Sequence, residues 1–277
     1  MVKIITDSST LYTREEGEKA GFEVVPLCVH IGDMDGRDLE IDMDDFYGRI
    51  ERAEVPTSSQ PPLGDVVDAF EKYKDCEIIN ISMADGLSGT YQTACAARLM
   101  VENQDKITVV NTKTLCGPHR YMVEKAQQMK EAGHTAKEIL AWLNEAITKT
   151  ESFLIPQDFG FLRRGGRLTP MAAALGSVLK LKPVMTLTED CKKLDKFAMK
   201  RTMKSAIDAV IDHMKEKKLD HRHIVYIVHA RAKEDAKRTA LRVREAFHNV
   251  EIKIMELSPV FVAQGGPQCV AIQYIEK

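Results

Sequence analysis

The sequence predicts an α/β protein of two domains, from three observations. Short Ile- and Val-rich runs alternate with helical segments over residues 1–152, which is typical of a parallel sheet covered on both faces. A second series of strands and helices begins at Phe153. The chain has 277 residues, and single cores rarely grow beyond about 250 to 300 residues. We therefore expect an N-terminal three-layer α/β/α domain over 1–152, with a mainly parallel sheet, and a C-terminal α/β domain over 153–277, with a mixed sheet.

Composition indicates an ordinary globular protein, with 44% hydrophobic residues, 29% charged residues and a formal net charge of -2. Basic residues are scattered, so no nucleic-acid partner is expected. No apolar run approaches the roughly 18 residues that span a bilayer, and the N-terminus lacks a secretion signal pattern. We expect a cytoplasmic protein without a transmembrane segment. The cysteines form no C-x-x-C pair, which argues against zinc and against a disulfide framework.

The first strand is predicted at Val2–Ile5 and ends in a polar turn, Thr6–Ser9. A capping box formed by Thr13 and Glu16 predicts a helix after that turn. The next strand-like run is Glu23–Ile31. Strand, helix and strand in this order predict the start of a βαβ unit.

An acidic segment follows, with seven carboxylates between Asp33 and Asp45. Carboxylate oxygens suit calcium, but the segment lacks the ligand order, central glycine and terminal glutamate of an EF-hand. The spacing favours a solvated loop that leads into a helix, with Asp42 as the N-cap.

The segment 55–62 is predicted to be a loop, because Thr57, Ser58 and Ser59 lie between prolines that restrict the backbone. Its hydroxyl groups are available to a ligand, although a rigid connector explains the composition equally well. Further along the first domain, helices are predicted at Leu63–Tyr73, from Pro118, and from Thr135, which forms a capping box with Glu138. A strand is predicted at Ile107–Asn111.

The stretch after the strand 77–82 is the main candidate for a binding site. We predict a turn at Asp85–Gly86, then Ser88 as the N-cap of a helix that begins with Gly89 and Thr90. Unpaired N–H groups and the helix dipole suit a carboxylate or phosphate at this position. The local sequence alone favours a simple helix cap. The stretch nearly matches the G-x-S-x-G nucleophile elbow, but Thr90 stands at its last position.

The second domain carries one basic glycine motif, Arg163–Arg167, which is equally consistent with an anion cradle and with a helix C-cap. His221 and His223 are interpreted as surface or edge residues because no third metal ligand is evident, and His229, at the end of its strand, is interpreted as structural. The remaining elements are predicted as a helix at Met171–Leu181, a strand at Pro183–Leu187, a helix from Arg201, a strand at His223–His229, a helix at Ala232–Phe247, and strands at Glu251–Leu257 and Cys269–Ile275.

Seven short motifs occur in one order along the chain: Thr6–Ser9, Thr57–Pro61, Gly86–Gln92, Leu162–Arg167, Leu181–Pro183, Arg201–Thr202 and Gly266–Pro267. Together they resemble the DegV family of bacterial fatty-acid-binding proteins. The resemblance extends over essentially the whole chain.

The resemblance implies a two-domain carrier that holds one long-chain fatty acid such as palmitate. The acyl tail lies in an apolar tunnel and the carboxylate lies at and near the domain interface. The family presents the acid to a separate fatty acid kinase, whose acyl phosphate product enters phospholipid synthesis. The resemblance implies no catalytic residue, no metal and no cofactor other than the acid itself.

The implied ligand-binding residues follow from the motifs. Ser88 matches the serine that binds the carboxylate, and Gly89 offers its N–H group. Ser58 aligns with the threonine of the family's TSQP loop, with Thr57 as the neighbouring candidate. Arg201 matches an arginine near the head group.

The C-terminal motif departs from the family. A histidine followed by T-G-P-G is usual there, whereas this chain has Gln264, Gly265, Gly266, Pro267 and Gln268. Gln264 donates hydrogen bonds without carrying charge, and it is the sixth predicted ligand-binding residue.

Two other functions are consistent with the sequence. The first is a serine-dependent hydrolase or small-molecule phosphotransferase that uses Ser88 and the Arg163–Arg167 loop, although the chain lacks a P-loop and an evident base for Ser88. The second is a regulatory protein whose bound lipid acts as a signal.

Overall fold

The structure is a computed structural model that describes residues 1–175 and 181–277. Internal contacts divide the chain into two units, Met1–Thr148 and Lys149–Lys277.

The first unit alternates strands with helices. Its strands are β1 (Val2–Asp7), β2 (Glu23–Val25), β3 (Cys28–Ile31), β4 (Met34–Arg37), β5 (Thr57–Ser59), β6 (Glu77–Ser82) and β7 (Ile107–Asn111). Its α-helices are α1 (Arg14–Lys19), α2 (Met43–Glu51), α3 (Leu63–Lys72), α4 (Thr90–Arg98), α5 (Cys116–Glu131) and α6 (Ala136–Ala146). Capping boxes begin α1 at Thr13 and α6 at Thr135, as the sequence predicts.

Four of these strands form a parallel sheet in the order β2-β1-β6-β7, which confirms the predicted sheet type. The chain moves outward from β1 to β2 on one side and from β6 to β7 on the other. The point between β1 and β6 is therefore a topological switch point, where ligands of open α/β sheets bind beyond the carboxyl ends of the strands.

Helices cover both faces of this sheet because neighbouring residues of a strand point in opposite directions. Ile5 packs with α3 and α4 in one buried apolar cluster. Thr6 points to the other face, where its hydroxyl lies 3.2 Å from Nε2 of His119 in α5. The three-layer arrangement follows from this alternation.

A second, antiparallel sheet in the order β4-β3-β5 corrects two predictions. The run Glu23–Ile31 is two strands, because Pro26 has no N–H group to continue a ladder and the chain passes there from the parallel sheet to the small one. The predicted loop 55–62 contains β5, which pairs with β3. The N-cap prediction is confirmed, since Asp42 Oδ1 accepts the N–H groups of Asp44 and Asp45 at 2.8 Å.

The second unit is built on a mixed sheet, which confirms that prediction. Its strands are β8 (Thr150–Ile155), β9 (Lys182–Leu187), β10 (Leu194–Lys200), β11 (His223–His229), β12 (Glu251–Glu256) and β13 (Val270–Glu276). Its helices are α7 (Phe159–Gly165), α8 (Pro170–Ala173), α9 (Met203–Glu216), α10 (Lys233–Ala246) and α11 (Pro259–Gly265). The strand order is β10-β9-β8-β13-β11-β12, with β11 and β12 parallel and the other neighbours antiparallel.

Both faces of the mixed sheet are apolar. Phe153 packs on the apolar stripe of α9, and its neighbour Leu154 packs with residues of α7 and α8 on the other face. The helix predicted at Met171–Leu181 is described only in part, because α8 ends at Ala173 and residues 176–180 lie outside the described residues. Helix α9 begins at Met203 rather than Arg201, because Thr202 caps it.

No helix within residues 1–175 and 181–277 has the length and hydropathy to cross a membrane.

His119 is a buried histidine that contacts the polar turn at the end of β1. His119 is fully buried; its Nε2 donates to the carbonyl of Ile81 at 3.0 Å, so Nδ1 accepts the hydroxyl of Ser9 at 2.7 Å. These two partners fit the neutral ring. Burial lowers the pKa of His119, and the nearby Asp7 carboxylate and the Ile81 carbonyl oppose this only partly.

We expect acidification to destabilise the protein through this ring. The histidine pKa is lowered in the folded state and about 6.5 in the unfolded state, so its contribution is present above pH 6.5 and is lost below it. The free energy of unfolding then falls by up to about 1.4 kcal/mol per pH unit. Chemical denaturation at several pH values from 7 to 5 measures this slope of the free energy against pH, which should be smaller for His119→Gln. His134→Gln, which changes an exposed histidine, should retain the wild-type slope. Equal slopes for wild type and His119→Gln would contradict the prediction.

Candidate functional site

Asp7, the last residue of β1, lies at the carboxyl edge of the parallel sheet. Its side chain is 3% exposed. Its Oδ1 accepts the N–H group of Ser9 at 2.9 Å and its Oδ2 accepts the N–H group of Met83 at 3.0 Å. Met83 directly follows β6. One carboxylate therefore joins the ends of the two strands on either side of the switch point.

The turn from Met83 to Gly89 is held by backbone hydrogen bonds. Ala84 donates to the carbonyl of Thr114 at 2.9 Å, and its own carbonyl accepts from Leu87 at 3.1 Å and from Ser88 at 3.3 Å. These bonds fix the position at which Ser88 leaves the turn.

Helix α4 begins one residue later than predicted. Gly89 is its N-cap, and the first α-helical bond runs from Thr93 N to Gly89 O at 2.8 Å. The half-buried Ser88 lies just before the cap, because the turn bond to Ala84 occupies its backbone. Its Oγ accepts the N–H group of Thr90 at 3.3 Å and lies 2.8 Å from the Thr90 hydroxyl. Ser88 thus contributes one long hydrogen bond to the start of α4 without being its N-cap, and neither Thr90 group is a base that would activate a nucleophile.

Strand register distinguishes the two hydroxyl candidates on β5. Ser58 pairs with Val29, which is 2% exposed, whereas Thr57 pairs with the exposed His30. Paired residues point to the same face of a sheet. Ser58 therefore faces the protein interior, and Thr57 faces the opposite side.

Contact between Gln60 and Gly89 joins the two hydroxyl segments of the first unit. A Cβ atom on Gly89 would lie 3.0 Å from Oε1 and 3.1 Å from Cδ of Gln60. The Gln60 amide therefore rests on the start of α4, beside Ser88. The structure thus brings the segment 57–60 to the segment 88–90, an approach that the sequence did not reveal.

In the second unit, Arg201 is exposed between β10 and α9. The preceding residue, Lys200, pairs with Lys182, whose ammonium group donates to the side chain of Gln157. Arg201 therefore lies at a basic end of the mixed sheet.

Gln264 lies in α11, where its Oε1 would be 2.1 Å from a Cβ atom on Gly165. Gly165 ends α7, and Gly166 follows it with φ +72 as the left-handed C-cap. The side chain of Arg167 donates to the carbonyl of Gly165. Of the two interpretations of the basic glycine motif, the structure shows the C-cap.

Several buried polar residues near the switch point were not singled out by the sequence. Asp38 is 1% exposed and accepts the Ser8 hydroxyl at 2.7 Å, and His119 accepts that of Ser9. Their partners lie far away along the chain, so no local pattern identifies them. Across the two described ranges, no cluster of three His, Cys, Asp or Glu residues is placed to hold a metal ion.

Comparison with known proteins finds one family. The family model described as "Uncharacterised protein, DegV family" matches residues 1–277. A DegV domain-containing protein of Listeria monocytogenes is 32% identical over 280 residues, which covers 99% of this chain and 98% of the relative.

Solved structures show the same fold. The fatty acid binding protein DegV of Bacillus subtilis superposes with a TM-score of 0.86 at 27% identity, over 100% of this chain and 99% of that chain. A DegV family protein of Thermus thermophilus, described by its fatty acid binding, has a TM-score of 0.90 at 24% identity, with the same coverage.

The Asp7 link generates a stability prediction. Asp7→Ala leaves the buried N–H groups of Ser9 and Met83 without an acceptor, so the free energy of unfolding should fall by roughly 3 kcal/mol or more. Urea denaturation measures this change. Asp68→Ala removes an exposed carboxylate of α3 and should change the stability by no more than about 0.5 kcal/mol. If the two variants lose similar amounts, Asp7 does not hold the strand ends together.

Proposed function

The chain belongs to the DegV family, and we propose that it binds one long-chain fatty acid and presents its carboxylate to a separate fatty acid kinase. The protein acts as a lipid carrier in the cytoplasm and is not itself an enzyme. The observation that carries the proposal is the contact between Gln60 and Gly89, which brings the segment that carries Ser58 to the segment that carries Ser88.

The geometry suits a carboxylate. Hydroxyl groups and the N–H groups at the start of α4 are donors, and the helix dipole favours a negative charge there. Hydrogen bonds to a charged acceptor are about twice as strong as neutral ones. Such donors bind the head group and fix its orientation without transferring a proton.

An acyl tail supplies most of the affinity. Each buried CH₂ group contributes about 0.8 kcal/mol, so a palmitoyl tail contributes on the order of 10 kcal/mol before the costs of association. We propose that the tail occupies an apolar tunnel, and that the head group selects the orientation in which the kinase receives the acid.

The proposal assigns Ser88, Gly89 and Ser58 to the head group. Thr57 ranks below Ser58, because its strand register turns it to the opposite face. Arg201 and Gln264, in the second unit, are proposed as a cationic and a neutral donor. The amide of Gln264 packs closely against Gly165.

Native mass spectrometry of the freshly purified protein tests the function. We expect an additional mass that denaturing extraction identifies as a long-chain fatty acid. The delipidated protein should take up added palmitate. A protein that carries no lipid and takes up none would contradict the proposal. Purified fatty acid kinase with ATP should convert the bound acid to acyl phosphate, and unchanged acid would refute the kinase step.

Substitution of the serine hydroxyls should weaken binding. Ser88→Ala removes a donor to the carboxylate, so palmitate affinity should fall by about tenfold. Fluorescent fatty acid displacement measures the affinity. A hydrolase would behave differently, because Ser88→Ala would abolish turnover of an acyl ester and leave binding intact.

Strand β5 provides a matched pair of variants. Ser58→Ala should weaken palmitate binding by about fivefold or more, whereas Thr57→Ala should bind like the wild type because Thr57 faces away. The same displacement assay compares them. A larger loss for Thr57→Ala would reverse the assignment of the head-group hydroxyl.

A further inference from the structure

The Gln60 amide packs closely against Gly89 at the start of α4. Gly89 has φ -73, a value that any residue adopts, so the backbone conformation does not require glycine. A Cβ atom there would lie 3.0, 3.1 and 3.4 Å from the three outer atoms of the Gln60 amide group. The first two distances are shorter than ordinary van der Waals contacts, so a side chain at this position would push the Gln60 amide aside by a few tenths of an ångström. Glycine therefore lets Gln60 keep its observed position.

The backbone around Gln60 aims its side chain in the same direction as that of Ser58. Gln60 directly follows β5, and Pro61 disfavours the helical conformation for the residue before it. An extended backbone places side chains two residues apart on one face. Ser58 and Gln60 therefore share a face, and Ser59 between them points the other way.

These two facts link the hydroxyl of Ser58 to the start of α4. Because Gln60 rests on Gly89 and is two residues from Ser58, the contact ties the segment that carries Ser58 to the segment that carries Ser88. Strand β5 has three residues and pairs only with β3 in its sheet. Its ladder therefore supplies little independent restraint on the distance between the two segments.

We propose that Gln60 is a positioning residue that makes the head-group site selective for a carboxylate over a neutral head group. The inference rests on the proposed function. A carboxylate has two acceptor oxygens and gains most when donors on both segments are correctly spaced, whereas an alcohol is satisfied by donors on one side. Loss of the spacing therefore weakens acid binding more than alcohol binding.

A double-mutant cycle tests the proposal with two ligands of equal chain length, palmitic acid and 1-hexadecanol. The variants are Gln60→Ala, Gly89→Ala and the double variant. Gly89→Ala keeps the backbone N–H group, so it tests the packing and not the donor. Gln128→Ala, an exposed glutamine of α5, is the matched control. Thermal unfolding confirms that each variant is folded. Gln60 is exposed, so its substitution is expected to leave the fold intact.

We expect each single variant to lose about fivefold in palmitate affinity. The double variant should lose no more than either single variant, because both break the same contact. Hexadecanol affinity should change by less than about twofold, and Gln128→Ala should match the wild type for both ligands.

Three outcomes overturn the inference: wild-type palmitate binding by Gln60→Ala, equal losses for acid and alcohol, or additive losses in the double variant. Failure of the wild type to bind palmitate at all is a different result. It refutes the proposed function, so the two failures are distinguishable.

Discussion

The site in the first unit depends on one buried carboxylate, that of Asp7. Its two oxygens accept N–H groups from Ser9, in its own turn, and from Met83, at the end of the neighbouring strand. A parallel sheet leaves the ends of adjacent strands unconnected, because each strand continues into its own helix. Asp7 supplies that missing connection at the switch point. The turn that presents Ser88 therefore starts from a fixed position, and so do the N–H groups at the start of α4.

The polar residues at this edge of the sheet fall into two groups with different tasks. Asp7, Ser8, Ser9 and His119 are buried and bond to one another, to Asp38 or to the backbone, so they hold the turns. Ser58 and Ser88 are only half-buried. A rigid buried layer beneath a partly exposed layer is the arrangement that preorganised binding requires, because ordering costs are met during folding.

Sequence reasoning succeeded where the controlling interaction is local. Capping residues such as Thr13, Thr135 and Asp42 act within three positions, and short apolar runs identified the strands of the two larger sheets. It failed where the partner is distant. The run Glu23–Ile31 is split because β2 pairs with β1 whereas β3 pairs with β4 and β5. Strand β5 depends on its pairing with β3, and a three-residue strand of hydroxyl residues between prolines resembles a loop. The approach of Gln60 to Gly89 needs the small sheet to exist first, so no motif encodes it.

The edge position of β5 has a consequence for how the ligand preference of such a protein diverges. Substitutions on an exposed edge strand seldom cost much stability, whereas substitutions of buried, hydrogen-bonded residues such as Asp7 and His119 are expected to cost more. Mutations that alter the proposed head-group contacts on β5 should therefore stay above the stability threshold on which selection acts. In a carrier of the proposed kind, the fold and the ligand preference would be separable traits, and new ligands would be acquired by drift along a single short strand.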